Sequence, residues 1–174
     1  AAQQGNVNAM YSLGVMYRDG QGVSENDKTA VKLFRLAAEQ GDVDAQYNLG
    51  LMYTHGKGVP ENDKTAVKWF RLAADQGDSD AQYNLGRLYR DGDGVLKNDK
   101  TAAIWYTLAA KQGNVVAQYN LGVMYDEGQG VPQDYKTAVK WWKLAAEQGV
   151  AVAQFNLGFM YNNGTGVLQD YKTA

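Results

Sequence analysis

An all-α solenoid of antiparallel helix pairs is predicted by three features of this 174-residue chain. The first is a period of 36 residues: Ala45-Gln46-Tyr47-Asn48-Leu49-Gly50 returns from Ala81, from Ala117 and, with Phe155 in place of tyrosine, from Ala153. Ala9-Met10-Tyr11-Ser12-Leu13-Gly14 is an earlier, drifted copy. A fixed period of this length marks a stacked array in which each unit buries its apolar face on its neighbours. The second feature is a pair of helical apolar stripes inside every period. The third is glycine punctuation between those stripes, where a chain must turn.

The first stripe places Ala45, Leu49, Met52 and Tyr53 on one helical face. Its start is capped by Asp42, and the corresponding starts by Asp78 and Asn114, with Asp80 adding charge to a first turn. Val150 stands at that place before the last unit, so that helix end is expected to fray. Gly14, Gly50, Gly86, Gly122 and Gly158 fall mid-helix, each costing about 1 kcal/mol relative to alanine. Close approach of the partner helix would compensate, with Phe34, Phe70, Tyr106 and Trp142 as the rings that fill the space and Leu33, Trp69, Trp105 and Trp141 beside them. Gly56-Lys57-Gly58-Val59-Pro60 is the loop that follows. Asn62 then caps the second helix, as Asp134 and Asp170 do later. Ala66, Phe70 and Ala73 line its buried face, and Lys64, Lys68, Arg71 and Asp75 its wet one; Gly77 closes the unit.

The whole chain, 1–174, reads as a single array. Residues 1–8 match the end of a preceding unit's second helix, full units run 9–44, 45–80, 81–116 and 117–152, and 153–174 is a partial unit. Tyr171-Lys172-Thr173-Ala174 matches the start of a second helix, as in a piece of a longer protein. A 45% hydrophobic content is ample for a core, and no apolar run approaches the roughly 18 residues of a membrane span. Cysteine is absent, which excludes disulfides and thiolate metal sites and leaves the compartment open. The net charge of −2 argues against a general phosphate-binding role.

Written out, the unit is Ala45-x₃-Leu49-Gly50-x₂-Tyr53-x₂-Gly56-x-Gly58-Val59, then Lys64-x-Ala66-x₃-Phe70-x₂-Ala73-Ala74-x₂-Gly77. It resembles the Sel1-like repeat, a relative of the tetratricopeptide repeat, over the full chain. The resemblance implies a right-handed α/α superhelix whose first helices line the concave side. It implies an adaptor for protein complexes, bacterial, and compatible with periplasm, secretion or cytoplasm. A cysteine-rich branch is linked to β-lactam binding and hydrolysis; this chain lacks those cysteines, which leaves that enzyme a distant alternative.

Catalysis and cofactors find little support in the residues. His55 is the single histidine, beside a loop glycine, which excludes the usual zinc sets. Ser12, Ser24 and Ser79 have no neighbouring histidine and no nucleophile elbow. The Gly-x-Gly loops follow no strand, and Asp91-Gly92-Asp93-Gly94 has its glycine misplaced for an EF-hand. No cofactor, metal or nucleic acid is expected. Lys32, Arg35, Lys68, Arg71, Lys140 and Lys143 recur along the second helices as a solvated face, with Arg35–Glu39, Arg71–Asp75 and Lys143–Glu147 at the i, i+4 spacing of ion pairs.

The surface with functional promise lies on the first helices. At 100° per residue Tyr47, Leu51 and Thr54 point away from the buried stripe. Their equivalents are Tyr11, Val15 and Arg18; Tyr83, Arg87 and Arg90; Tyr119, Val123 and Asp126; Phe155, Phe159 and Asn162. An aromatic recurs in every unit while the two residues beyond it change. Asn48, Asn84, Asn120 and Asn156 flank them and can hydrogen-bond a partner's backbone or tie units together. A non-enzymatic scaffold holding an extended peptide of acidic or aromatic character on this concave face is the leading expectation. Head-to-tail self-association through unfinished ends is the alternative.

Overall fold

The computed structural model describes residues 2–170 and 172, with side chains from Asn6 onward. Among these residues the chain forms nine helices and no strand. They are α1 (Ala2–Asp19), α2 (Asp27–Ala38), α3 (Val43–His55), α4 (Asp63–Asp75), α5 (Ser79–Asp91), α6 (Asp99–Lys111), α7 (Val115–Glu127), α8 (Tyr135–Glu147) and α9 (Ala151–Asn163). Each packs chiefly on the helices before and after it in the chain, the contact pattern of a solenoid. Odd-numbered helices form one layer and even-numbered helices the other.

The helix ends follow from their caps. Asp42, Asp78 and Asn114 accept from the N–H groups of Ala45, Ala81 and Ala117 at 2.8, 2.6 and 2.9 Å. Val150 offers α9 no such bond. Asn26, Asn62 and Asn98 cap the second helices through Thr29, Thr65 and Thr101, at 3.0, 2.9 and 3.0 Å. Between the two helices of a unit the chain turns at Gly56, in the left-handed region with φ 63°, and the Asn62 N–H reaches back to the Tyr53 carbonyl at 2.8 Å. Gly58 is required for a second reason: a Cβ there would lie 2.5 Å from the carbonyl carbon of Asp27 in the preceding unit. Gly94 and Gly130 meet the backbones of Asp63 and Asp99 in the same way. The loop of one unit therefore rests directly on the start of the previous unit's second helix.

The cores are built as the mid-helix glycines lead one to expect. Phe34, Phe70 and Tyr106 are fully buried and Trp142 nearly so. Their rings lie over Gly14, Gly50, Gly86 and Gly122 so closely that a Cβ at Gly14 would sit 2.7 Å from the Phe34 ring, and one at Gly50 2.5 Å from that of Phe70. Trp142 also donates its indole N–H to the Tyr119 carbonyl at 3.2 Å. Each cluster joins a second helix to the first helix of the next unit: Ala30, Phe34 and Ala37 pack with Ala45, Leu49 and Met52, and the half-buried Trp69 closes the group. Units are thereby welded rather than strung together.

Two sequence expectations meet a different outcome. Residues 2–8 do not end a separate helix; they run continuously into α1. At later junctions the turn is clamped by a glutamine, such as Gln46, whose amide donates to the Ala38 carbonyl at 3.1 Å. The later junctions turn at Gly41, Gly77, Gly113 and Gly149 with positive φ, which Gly5 does not adopt. The ion pairs proposed within the second helices do not form among the described residues. Arg35 instead donates to the Tyr53 hydroxyl at 2.6 Å, Arg71 to that of Tyr89, and Lys143 lies 5.3 Å from the Tyr161 ring centre. These partners belong to the next unit's first helix, so the contacts cross a unit boundary. The expected helix start at 171–174 lies outside the described residues apart from Lys172, whose N–H reaches Asp170 at 2.9 Å.

Candidate interaction face

The first-helix residues singled out from sequence do fall on one layer, yet each also has structural work. Tyr11, Tyr47 and Tyr83 are half-buried, with ring centres 5.8, 5.9 and 5.9 Å from those of Phe34, Phe70 and Tyr106. Each ring packs on its own unit and stays partly accessible. Burial first, then the charges of Asp44 and Asp80, push the Tyr11 and Tyr47 phenols above their ordinary value. The same hydroxyls face Asn48 and Asn84 of the following unit, whose nearness partly offsets that rise. Asn48, Asn84 and Asn120 donate in turn to the carbonyls of Asp44, Asp80 and Val116, at 2.8, 2.8 and 2.9 Å. Asn48 is itself buried, so it belongs to the junction rather than to the accessible face. Leu51 and Val123 are half-buried against the next unit's core.

The arginines of this face are not free charges. Arg18 donates to both oxygens of Asp19, at 2.6 and 2.8 Å, and to Asn48 Oδ1 at 2.5 Å. Arg90 repeats this with Asp91, at 2.8 and 3.2 Å, and with Asn120 at 3.3 Å. Arg87 lies 3.9 and 3.6 Å from the carboxylates of Asp91 and Asp93. Hydrogen bonding to the guanidinium holds the Asp19 and Asp91 carboxyls below the usual range. Asp126 stands where Arg18 and Arg90 do in other units, and burial raises its carboxyl. At the far end Phe155 and Phe159 are 75% and 60% exposed, and they line a cavity of about 810 Å³ with Trp142, Tyr135 and Asp126. His55 is exposed and its Nδ1 donates to the Leu51 carbonyl at 2.8 Å. Among the described residues no three His, Cys, Asp or Glu side chains converge on a metal position.

One set of residues escaped the sequence reading. Gln46, Gln82 and Gln118 are buried, at 4, 5 and 4% exposure. Each donates to a carbonyl eight residues back, those of Ala38, Ala74 and Ala110, all at 3.1 Å. Each also accepts from the amide of Gln76, Gln112 or Gln148 in the helix that follows, at 2.7, 2.8 and 2.9 Å. A glutamine repeated beside the buried alanine in every later unit was the available signal.

The Sel1 repeat matches five consecutive segments, 7–42, 43–78, 79–114, 115–150 and 151–174. The chain is a Sel1 repeat protein. Each matched segment begins two residues before the units counted from Ala9. Among solved structures, the array is similar to a protective antigen of uropathogenic Escherichia coli that displays an SLR fold, with 41% identity and a TM-score of 0.92. The match covers 97% of this chain and 36% of the antigen, so the chain spans about a third of its length. A Sel1 repeat protein of Oxalobacter formigenes is 40% identical with a TM-score of 0.91, over 96% of this chain and 69% of that one. Cysteine-rich protein B of Helicobacter pylori shares the fold at 22% identity and a TM-score of 0.59, over 74% of this chain and 92% of that one. No curated protein matches the chain. Sel1 repeat proteins are generally protein-interaction scaffolds, and among the described residues no helix is long and apolar enough to cross a membrane.

Proposed function

We propose that the array is a non-enzymatic scaffold holding an extended segment of a partner protein along its first-helix layer. The observation that carries this reading is the row of half-open tyrosine rings, Tyr11, Tyr47, Tyr83 and Tyr119, one per unit, beside residues that differ between units. Repeated rings give sequence-tolerant contact area, and the changing neighbours give selectivity along the segment. The pairing of Arg18, Arg87 and Arg90 with Asp19, Asp91 and Asp93 removes the electrostatic reason for an acidic ligand. We therefore favour an aromatic, hydrogen-bonding segment. Selection of displayed peptides on the chain, followed by binding to an L51S/R87S/V123S variant, tests this. Those three side chains touch the face without carrying the junction contacts of tyrosine and asparagine. Peptides that bind the folded variant as well as the parent would sink the proposal.

A further inference from the structure

The net charge of −2 conceals a division between the two layers. Counting the C-cap Glu39 with its helix, α2, α4, α6 and α8 hold eleven of the 17 basic residues against six acids, a net +5. The remainder of the chain therefore carries −7. Among the described residues none of those eleven cations has a carboxylate within 4.0 Å, since the ion-paired cations are Arg18, Arg87, Arg90 and Lys97.

Apolar residues are placed in register with these cations. Leu36, Leu72, Leu108 and Leu144 are 48, 47, 41 and 43% exposed, one on each second helix. Each ends a row at i, i+4, i+8: Lys28, Lys32 and Leu36; Lys64, Lys68 and Leu72; Lys136, Lys140 and Leu144. In the third helix Ile104, 61% exposed, replaces the middle lysine. The half-buried Trp69, Trp105 and Trp141 lie three residues before a leucine, on its apolar side. Isolated surface leucines need no explanation, but a leucine at the same exposed position in four of four second helices, beside tryptophan and unpaired lysine, is a composed surface.

We infer that the second-helix layer docks on an anionic phospholipid surface. Lysine and arginine answer the headgroup charge, leucine enters the acyl boundary, and tryptophan sits at the interface between them. The cations are spread over four parallel helices, a two-dimensional array that suits a plane better than a single partner helix. A nucleic acid would satisfy the lysines but offers nothing to the leucines. This surface is distinct from the first-helix face, and its test does not depend on any peptide partner.

The experiment is sedimentation of the 174-residue chain with vesicles of phosphatidylcholine alone or mixed with phosphatidylserine. Binding is expected only to the serine-containing vesicles and to fade as salt shortens the screening length. Each lysine near the surface is worth about a fivefold change in partition, so K32Q/K68Q/K140Q is expected to weaken binding about a hundredfold. L36S/L72S/L108S/L144S, with helical circular dichroism confirming its fold, is expected to weaken it by at least an order of magnitude. No sedimentation with either vesicle, or equal sedimentation with both, overturns the inference. Binding that survives loss of the leucines and is matched by soluble heparin also overturns it, because the face would then recognise polyanions rather than a bilayer.

Discussion

Replacing Gln82 by methionine isolates the contribution of the buried glutamines, because Met10 shows that thioether at the same place in the first unit. Gln82 donates to the Ala74 carbonyl at 3.1 Å and accepts from Gln112 at 2.8 Å; methionine loses the first bond and weakens the second to an N–H···S contact like that of Gln40 with Met10 at 3.6 Å. A typical intramolecular hydrogen bond contributes about 0.5–1.5 kcal/mol. Two factors reduce the total. The Ala74 carbonyl keeps the Gly77 N–H at 3.0 Å, and Gln112 is exposed and exchanges its weakened partner for water. Methionine also fills the volume without burying an amide. The expected net loss is about 1 kcal/mol for Q82M. Gln46, Gln82 and Gln118 share no bonding partner, so the triple change is expected to be additive at about 3 kcal/mol. That is a large part of the 5–15 kcal/mol that holds a typical domain together. Urea unfolding followed by helical circular dichroism measures it. Since the bond to the Ala74 carbonyl crosses a unit boundary, as its equivalents at Gln46 and Gln118 do, the slope of the transition should also fall as cooperativity between units weakens. A triple variant with unchanged midpoint and slope would refute the assignment of these glutamines to inter-unit coupling.

Other outcomes follow from single positions. V150D supplies the cap that α9 lacks and is expected to stabilise its first turn by about 1 kcal/mol, read as slower hydrogen exchange at Ala153 and Gln154; unchanged exchange would refute it. G22A and G58A both place alanine at positive φ, 73° and 68°, but only Gly58 abuts rigid backbone, whereas Gly22 faces a methionine methyl at 3.5 Å. G58A is expected to cost about 1–3 kcal/mol more than G22A in urea unfolding, and equal costs would show that the loop does not rest on the preceding unit. The Tyr106 hydroxyl is buried without a partner, so Y106F is expected to stabilise the chain by about 1 kcal/mol. Burial holds that phenol well above its ordinary 10.0. A raised acid of this kind contributes stability below pH 10 that is lost as pH rises further, so Y106F should also blunt alkaline unfolding. Parallel pH–stability curves for parent and variant would contradict this.

What was legible depended on whether one helix held the whole reason. A glycine in mid-helix opposite a ring 20 residues on has few explanations besides close packing, and Phe34, Phe70, Tyr106 and Trp142 all lie where that reasoning put them. Caps are equally local, so the missing one at Val150 could be read directly. Arg35 and Arg71 failed because the i, i+4 rule treats a helix as isolated. The tyrosine 18 residues on belongs to another helix, and only stacking brings it within reach. Gln46 failed for the same reason, since its carbonyl partner is in the preceding unit. The charge of the second-helix layer was hidden by summation: period and helix phase sort the lysines onto one side, while a net charge erases sides.

The positions that vary between units prove to have two consequences rather than one. At the third place of the first-helix face, Arg18 and Arg90 reach across to Asn48 and Asn120 of the following unit. Thr54 stands between them in the repeat, and its hydroxyl turns back to the Gly50 carbonyl at 3.0 Å instead. The junctions from first to second and from third to fourth unit are therefore clamped by a guanidinium, and the junction from second to third is not. Tyrosine faces asparagine at both kinds of junction, so the difference lies in the variable residue. On the proposed function a substitution there changes what a partner touches, and it also changes how firmly two units hold their angle. T54R is accordingly expected to stiffen the middle junction toward Asn84, slowing hydrogen exchange in α5, although His55 stands where Asp19 and Asp91 pair with the other two arginines. Should exchange in α5 stay the same while the parent clamp variant R90T leaves α7 equally unaffected, the variable positions would act on the surface alone.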